Sequence, residues 1–125
     1  NFLVAKEYDK AIEAFKRAAA KTDNGKLYLR MAQVAADLGN WDEAEQYAAR
    51  AVERGDFDRL GRAHVVRGLA LYHLERFSES LQSLEQARGF EDTRKMATQW
   101  HDYVQKEQKR REQLEASATS GIKSS

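Results

Sequence analysis

The chain has 125 residues, 33% of them charged, yet its formal net charge is only +1, and it contains neither proline nor cysteine. That is one domain's worth of chain, without the charge excess that pulls a protein toward nucleic acid or an anionic membrane. The lack of cysteine excludes disulfides and thiolate metal sites and leaves cytoplasm and bacterial periplasm equally open.

Ala, Leu, Glu, Gln, Lys and Arg dominate, which favours helix throughout, and no apolar run approaches the ~20 residues that cross a bilayer. Because the chain begins at Asn1 rather than Met, and inside a repeating pattern, it reads as a piece of a longer protein. Phe2-Leu3-Val4 reads as the last turn of one helix and Lys6-Glu7 as the turn before another over 8–20. In that helix Ala11, Ile12, Phe15, Ala18 and Ala19 make one apolar face. Asn24 and Gly25 suit the loop that follows. The pattern predicts a helix over 26–38, with Tyr28, Met31, Ala32, Ala35 and Leu38 on one stripe. Gly39-Asn40 stops it. Asn40 is the expected cap of the next helix, which carries acids in its first turn and ends near Arg54 before Gly55. A helix over 58–74 follows, with Asp58 as cap. Its interior Gly68 costs ~1 kcal/mol relative to Ala, which close helix packing should offset. Glu75-Arg76 makes a turn, and 77–88 forms the partner helix, stopped by Gly89. The last helix is expected from 92 to about 114, with Met96, Trp100, Tyr103 and Val104 as its apolar face. Its polar run 105–115 is expected to project into solvent, ahead of a Ser/Thr/Gly-rich tail that reads as flexible.

Three of these segments say nearly the same thing. Tyr8-Asp9-Lys10-Ala11, Trp41-Asp42-Glu43-Ala44 and Phe77-Ser78-Glu79-Ser80 each run aromatic, two polar, small, and the small residue recurs at intervals of 33 and 36. A period of about 34 is the mark of a helical repeat array. Tyr28, Met31, Ala32, Ala35, Leu38-Gly39, Trp41, Ala44, Ala48 and Ala51 make one full unit. His64, Arg67, Gly68, Leu71, Leu74, Phe77, Ser80, Leu84 and Ala87 make a second. The sequence resembles the tetratricopeptide repeat family in these positions, over roughly residues 1–90. The departures are the missing proline at each repeat end and the polar His64 and Arg67 at places usually apolar. The segment Gln99-Trp100-His101-Asp102-Tyr103-Val104, with Arg110-Arg111 beyond, is similar to the terminal helix of tetratricopeptide proteins from bacterial envelope gene clusters.

The resemblance implies an all-α fold: a right-handed superhelical stack of antiparallel helix pairs with a long C-terminal capping helix. The expected organisation is a partial first repeat over 1–20, in which only the second helix is complete. Repeats over 25–56 and 58–90, a capping helix over 92–115 and a tail over 116–125 follow. It also implies a concave groove lined by the first helix of each pair. That geometry places Lys26, Leu29, Arg30, Gln33 and Asp37 there, then Arg62, Val65, Leu69, Tyr72 and His73, then Arg94, Ala97, His101 and Gln105. Lys26, Arg62 and Arg94 stand near the starts of three helices, where they could hold the acidic or carboxylate end of a peptide while Leu69 and Tyr72 take an apolar side chain. The carboxylate clamp of some family members is not matched, because Leu29, Gln33 and Val66 stand where its residues belong.

No catalytic, metal or cofactor site emerges. His64, His73 and His101 form no i,i+4 pair, the glycines form no phosphate loop, and no small-molecule substrate is implied. The basic run 106–111 is interleaved with Glu107 and Glu112, so ion pairing along the helix accounts for it better than nucleic-acid binding does. The expected function is a non-catalytic scaffold that binds a protein segment in its groove. The alternative is an assembly module that self-associates through a truncated N-terminal face of Phe2, Leu3, Ile12 and Phe15.

Overall fold

The computed structural model describes residues 2–22 and 24–124, and the side chains of 4–21 and 24–119. Among the described residues the chain is all helical: α1 (Phe2–Thr22), α2 (Gly25–Asp37), α3 (Trp41–Arg54), α4 (Leu60–His73), α5 (Phe77–Ala87) and α6 (Arg94–Ser124). α2 and α3 are joined through 38–40 and α4 and α5 through 74–76. Links that short between packed helices make two antiparallel hairpins. Each helix packs on the next in chain order, and α2 also touches α4.

α1 is one unbroken helix, so the turn expected at Lys6-Glu7 does not occur. Lys and Glu are good helix formers. Tyr8, Ile12 and Ala19 share a face that is buried against α2 and α3. The Tyr8 hydroxyl donates to the Glu43 carboxylate, which fixes α1 to the start of α3. The apolar face expected of this helix is inward at Ile12, which is buried, and at Phe15, which packs beside it, so neither forms the open face that self-association would use. Phe2 and Leu3 lie outside the described side chains.

The caps differ from expectation in three places. Asn24, not anticipated as a cap, accepts from the Leu27 N–H at 2.9 Å. Asn40 makes no side-chain cap to α3, and α4 starts at Leu60 with no cap from Asp58. The segment before α4 serves another purpose. Its Asp56 carboxylate accepts from the Gly25 N–H at 3.2 Å, and its Phe57 ring lies where a Cβ on Gly25 would stand, within 2.6 Å. The second hairpin repeats this closure, with Phe90 Cβ 2.8 Å from the position of a Gly61 Cβ and the Thr93 hydroxyl pressed against the same place. Each hairpin is thus fastened from a glycine at its start to the loop after its second helix.

The repeated small residues lie where the helices meet. Ala44 and Ser80 are fully buried and Ala11 is half-buried. Gly68 lets α5 approach so closely that a Cβ there would sit 2.8 Å from Leu84 Cγ. The Ser80 hydroxyl donates to the Gly68 carbonyl at 2.6 Å. Burying Leu84 completely is worth ~1.5–3 kcal/mol, which outweighs the ~1 kcal/mol that glycine costs in a helix.

Of the four residues expected on the inner face of α6, Val104 alone is fully buried. Ala97 and Val104 are fully buried behind Thr93, whose hydroxyl donates to the Ala87 carbonyl at 2.8 Å. Met96 and Tyr103 are 40% and 50% exposed, because they lie about a quarter of a turn off the 93–97–104 stripe. The helix also continues to Ser124 rather than ending near 114; Ala116 and Ala118 favour helix there, and no proline interrupts it.

His64 and Arg67 occupy the polar exceptions of the second hairpin. The His64 ring stacks on Phe90 at 5.9 Å. Burial, with Arg67 nearby, lowers its pKa from the usual 6.5. As pH falls from about 7.5 to about 5.5 the unfolded chain therefore takes up the proton first, and stability drops. His73, lowered by burial as well, adds in the same direction. Urea unfolding at those two pH values should show the loss, and His64→Asn should flatten the profile.

Candidate functional site

The predicted groove residues fall into two groups. At the N-terminal end, Lys26, Leu29, Arg30 and Gln33 line a single cleft of about 570 Å3 with Ala18, Asn24, Leu27 and Arg59. Helical spacing puts the α2 members on one face, and α1 and the loop before α4 close the sides. Three cations and no carboxylate line it, so the Coulomb field inside favours an anionic guest. Leu29 is 2% exposed and packs on Ala51 and Ala63, so it forms floor rather than contact surface. Asp37 is exposed in the last turn of α2, outside this cleft.

Arg62 is exposed near the start of α4. Arg94 is exposed too, with its Nε donating to the Arg88 carbonyl at 3.0 Å, which directs it to the α5–α6 loop. Val65 is buried against Ala87 and Ala97, and Leu69 packs beside them. His101 is half-buried with Nε2 3.8 Å from the Glu85 carboxylate.

The second group is aromatic. Tyr72 meets Tyr103 edge-on at 5.6 Å, and Tyr103 meets Trp100 at 5.7 Å. The Tyr72 hydroxyl donates to the Tyr103 hydroxyl at 3.2 Å. That bond, with burial, pushes the Tyr72 phenol up to about 12, so Tyr72 stays neutral. His73 lies flat on Trp41 at 3.9 Å and 7°, in the seam between α3 and α4.

Beyond the aromatics, α6 is held against the second hairpin. The Arg111 guanidinium pairs with Glu75 at 2.8 Å and lies over the Phe77 ring at 5.7 Å. The Gln108 amide donates to the Ser78 hydroxyl at 3.1 Å. The run expected to project freely is therefore fastened as far as Arg111. Glu75 has φ +61, a left-handed conformation that costs a non-glycine residue ~1–2 kcal/mol. The equivalent place in the first hairpin is Gly39, at φ +74.

Arg59, Trp100 and Tyr103 belong to these surfaces and were not among the expected groove residues. Arg59 reaches the cleft because Phe57 is drawn to Gly25, a contact between distant positions with no local sequence mark.

A family model for the tetratricopeptide repeat matches residues 3–64, which span α1, the first hairpin and the start of α4. This is a tetratricopeptide repeat protein. No curated protein matches the chain. Tetratricopeptide repeats generally mediate protein–protein interactions and are typically non-catalytic modules. Among the described residues no helix is long and apolar enough to cross a membrane.

Proposed function

We propose that this tetratricopeptide repeat protein binds a peptide or helix of a protein partner along the face formed by α2, α4 and α6, with an acidic segment or chain terminus at the α2 end. The observation that carries this reading is the cleft in which Lys26, Arg30 and Arg59 converge without a carboxylate among its lining residues. Guanidinium groups bind carboxylates in a fixed two-pronged geometry, which gives direction as well as attraction. The Tyr72–Tyr103–Trp100 group further along offers flat, weakly polar surface suited to an apolar or aromatic side chain of the same segment.

Fluorescence anisotropy with labelled peptides of equal length tests the reading. Acidic peptides carrying one aromatic residue should bind better than neutral or basic ones, and less well as salt rises. Lys26→Glu with Arg30→Glu should weaken them roughly tenfold or more, about 1.4 kcal/mol. Equal binding of all three peptide classes, or no effect of the double charge reversal, defeats it.

A further inference from the structure

The last helix carries a second stripe beside the one it buries. Met96, Trp100, Tyr103, Glu107, Arg110 and Leu114 follow one another at steps of four, three, four, three and four residues, the 3.5-residue period of a two-helix seam. The stripe lies about a quarter of a turn from the buried Ala97 and Val104. It is open along its length: Met96, Tyr103, Arg110 and Leu114 are exposed and Trp100 is half-buried. Three of the five large apolar side chains exposed among the described residues, Met96, Tyr103 and Leu114, stand on it. Scattered exposed apolar residues are ordinary, but aligned ones mark a contact surface. Past Arg111 every described side chain of α6 is exposed as far as Thr119.

We propose that this stripe joins two copies of the chain through antiparallel α6 helices, related by a two-fold axis at Gln105. A two-fold contact needs a surface complementary to itself, and this one is. Turned end for end about Gln105, Met96 meets the second copy's Leu114, Trp100 meets its Arg110 and Tyr103 meets its Glu107. Each layer is a favourable pair: apolar on apolar, a guanidinium on an indole face, and a phenol on a carboxylate. Arg110 pairs with Glu107 of its own helix, so its guanidinium is already ordered beside the seam. The Tyr103 hydroxyl accepts from Tyr72 at 3.2 Å and keeps its own proton to donate. The Glu107 carboxylate retains lone pairs beyond those given to Arg110 and Arg111. A parallel pair in register would instead set Glu107 on Glu107 and Arg110 on Arg110, so charge selects the antiparallel arrangement. The same pairing lays the exposed half of each α6 beside the packed half of its copy, support that such a polar stretch of helix lacks alone. The dimer covers Trp100 and Tyr103 and leaves the Lys26–Arg30–Arg59 cleft open. It does not rest on the peptide-docking reading, although a segment docked on the aromatic group would compete with the second copy.

Sedimentation velocity of the full chain without any peptide, from roughly micromolar to roughly millimolar concentration, should show a reversible monomer–dimer equilibrium. Leu114→Lys, at an exposed position that leaves the fold intact, should weaken the dimer about tenfold or more, since a two-fold contact loses each side chain twice. Cysteine pairing reads the register, because the chain has no cysteine of its own. Met96→Cys mixed with Leu114→Cys should give disulfide-linked dimers under mild oxidation. Either variant alone should not, because like positions lie about 27 Å apart along the antiparallel pair, far beyond the reach of a disulfide. A monomer over the whole range, a dimer unmoved by Leu114→Lys, or single variants that link as fast as the mixture overturns the proposal.

Discussion

Gly68→Val should lower stability by about 3 kcal/mol, the upper end of overpacking costs, and a thermal melt should show the loss. The first added carbon alone would stand 2.8 Å from Leu84 Cγ and 3.4 Å from the Ser80 carbonyl. Leu84 has no exposed surface into which it could retreat. Valine also gives α4 little of the helix propensity that alanine would add. Gly68→Ala gains ~1 kcal/mol of propensity yet still meets the same carbon, so its net cost should be smaller but of the same sign. Removing the obstacle should reveal the coupling: Gly68→Ala combined with Leu84→Ala should be more stable than the sum of the single losses predicts. Strict additivity would mean that the glycine is not there for close approach.

Met31→Ala should cost about 2–5 kcal/mol, the range for a large buried side chain cut to alanine. Met31 is 1% exposed at the centre of a core to which α1, α2, α3 and α4 all contribute. Five of the eight other buried residues of that core are alanines, 32, 35, 44, 48 and 70, which have no side-chain freedom with which to fill a hole. In a linear stack, stability is roughly a sum of units and nearest-neighbour interfaces. The variant should therefore loosen α1 and the first hairpin before the second, and hydrogen exchange should show protection falling in 26–54 more than in 77–87. Uniform loss along the chain would argue for one indivisible core.

The fold was legible because the same helical hairpin is written twice, with helix-period apolar stripes and small residues kept in phase. Gly68 was readable as a packing position, since a helix-breaking residue in mid-helix needs a compensating contact. Local chemistry was less reliable. Asn40 and Asp58 have the right side chains for caps but do not serve, while Asn24 does, since capping depends on backbone angles that residue type only biases. Lys6-Glu7 imitated a turn only by analogy with the later units. The face of α6 was misjudged because Tyr103 and Met96 are large and apolar whereas the residues that turn inward, Thr93 and Ala97, are small. Of the candidate site, the residues of α2 could be placed from helical spacing alone. Arg59 could not, since it arrives through a loop contact, nor could the division of the expected row into a cationic cleft and an aromatic group, with His73 committed to Trp41. Glu75 was hidden for a related reason: its left-handed turn is written with glycine in the first hairpin and, in the second, with a residue that ties down α6.

The fastening of Gly25 by Phe57 and of Gly61 by Phe90 has a consequence for how this architecture can be rearranged. A transplantable cassette does not end where its second helix ends; it ends after the ring that seals its own opening glycine. Shuffling at the helix boundary would strand that ring on the wrong neighbour and leave an empty socket behind, whereas a crossover placed between Phe57 and Asp58 moves lock and key together.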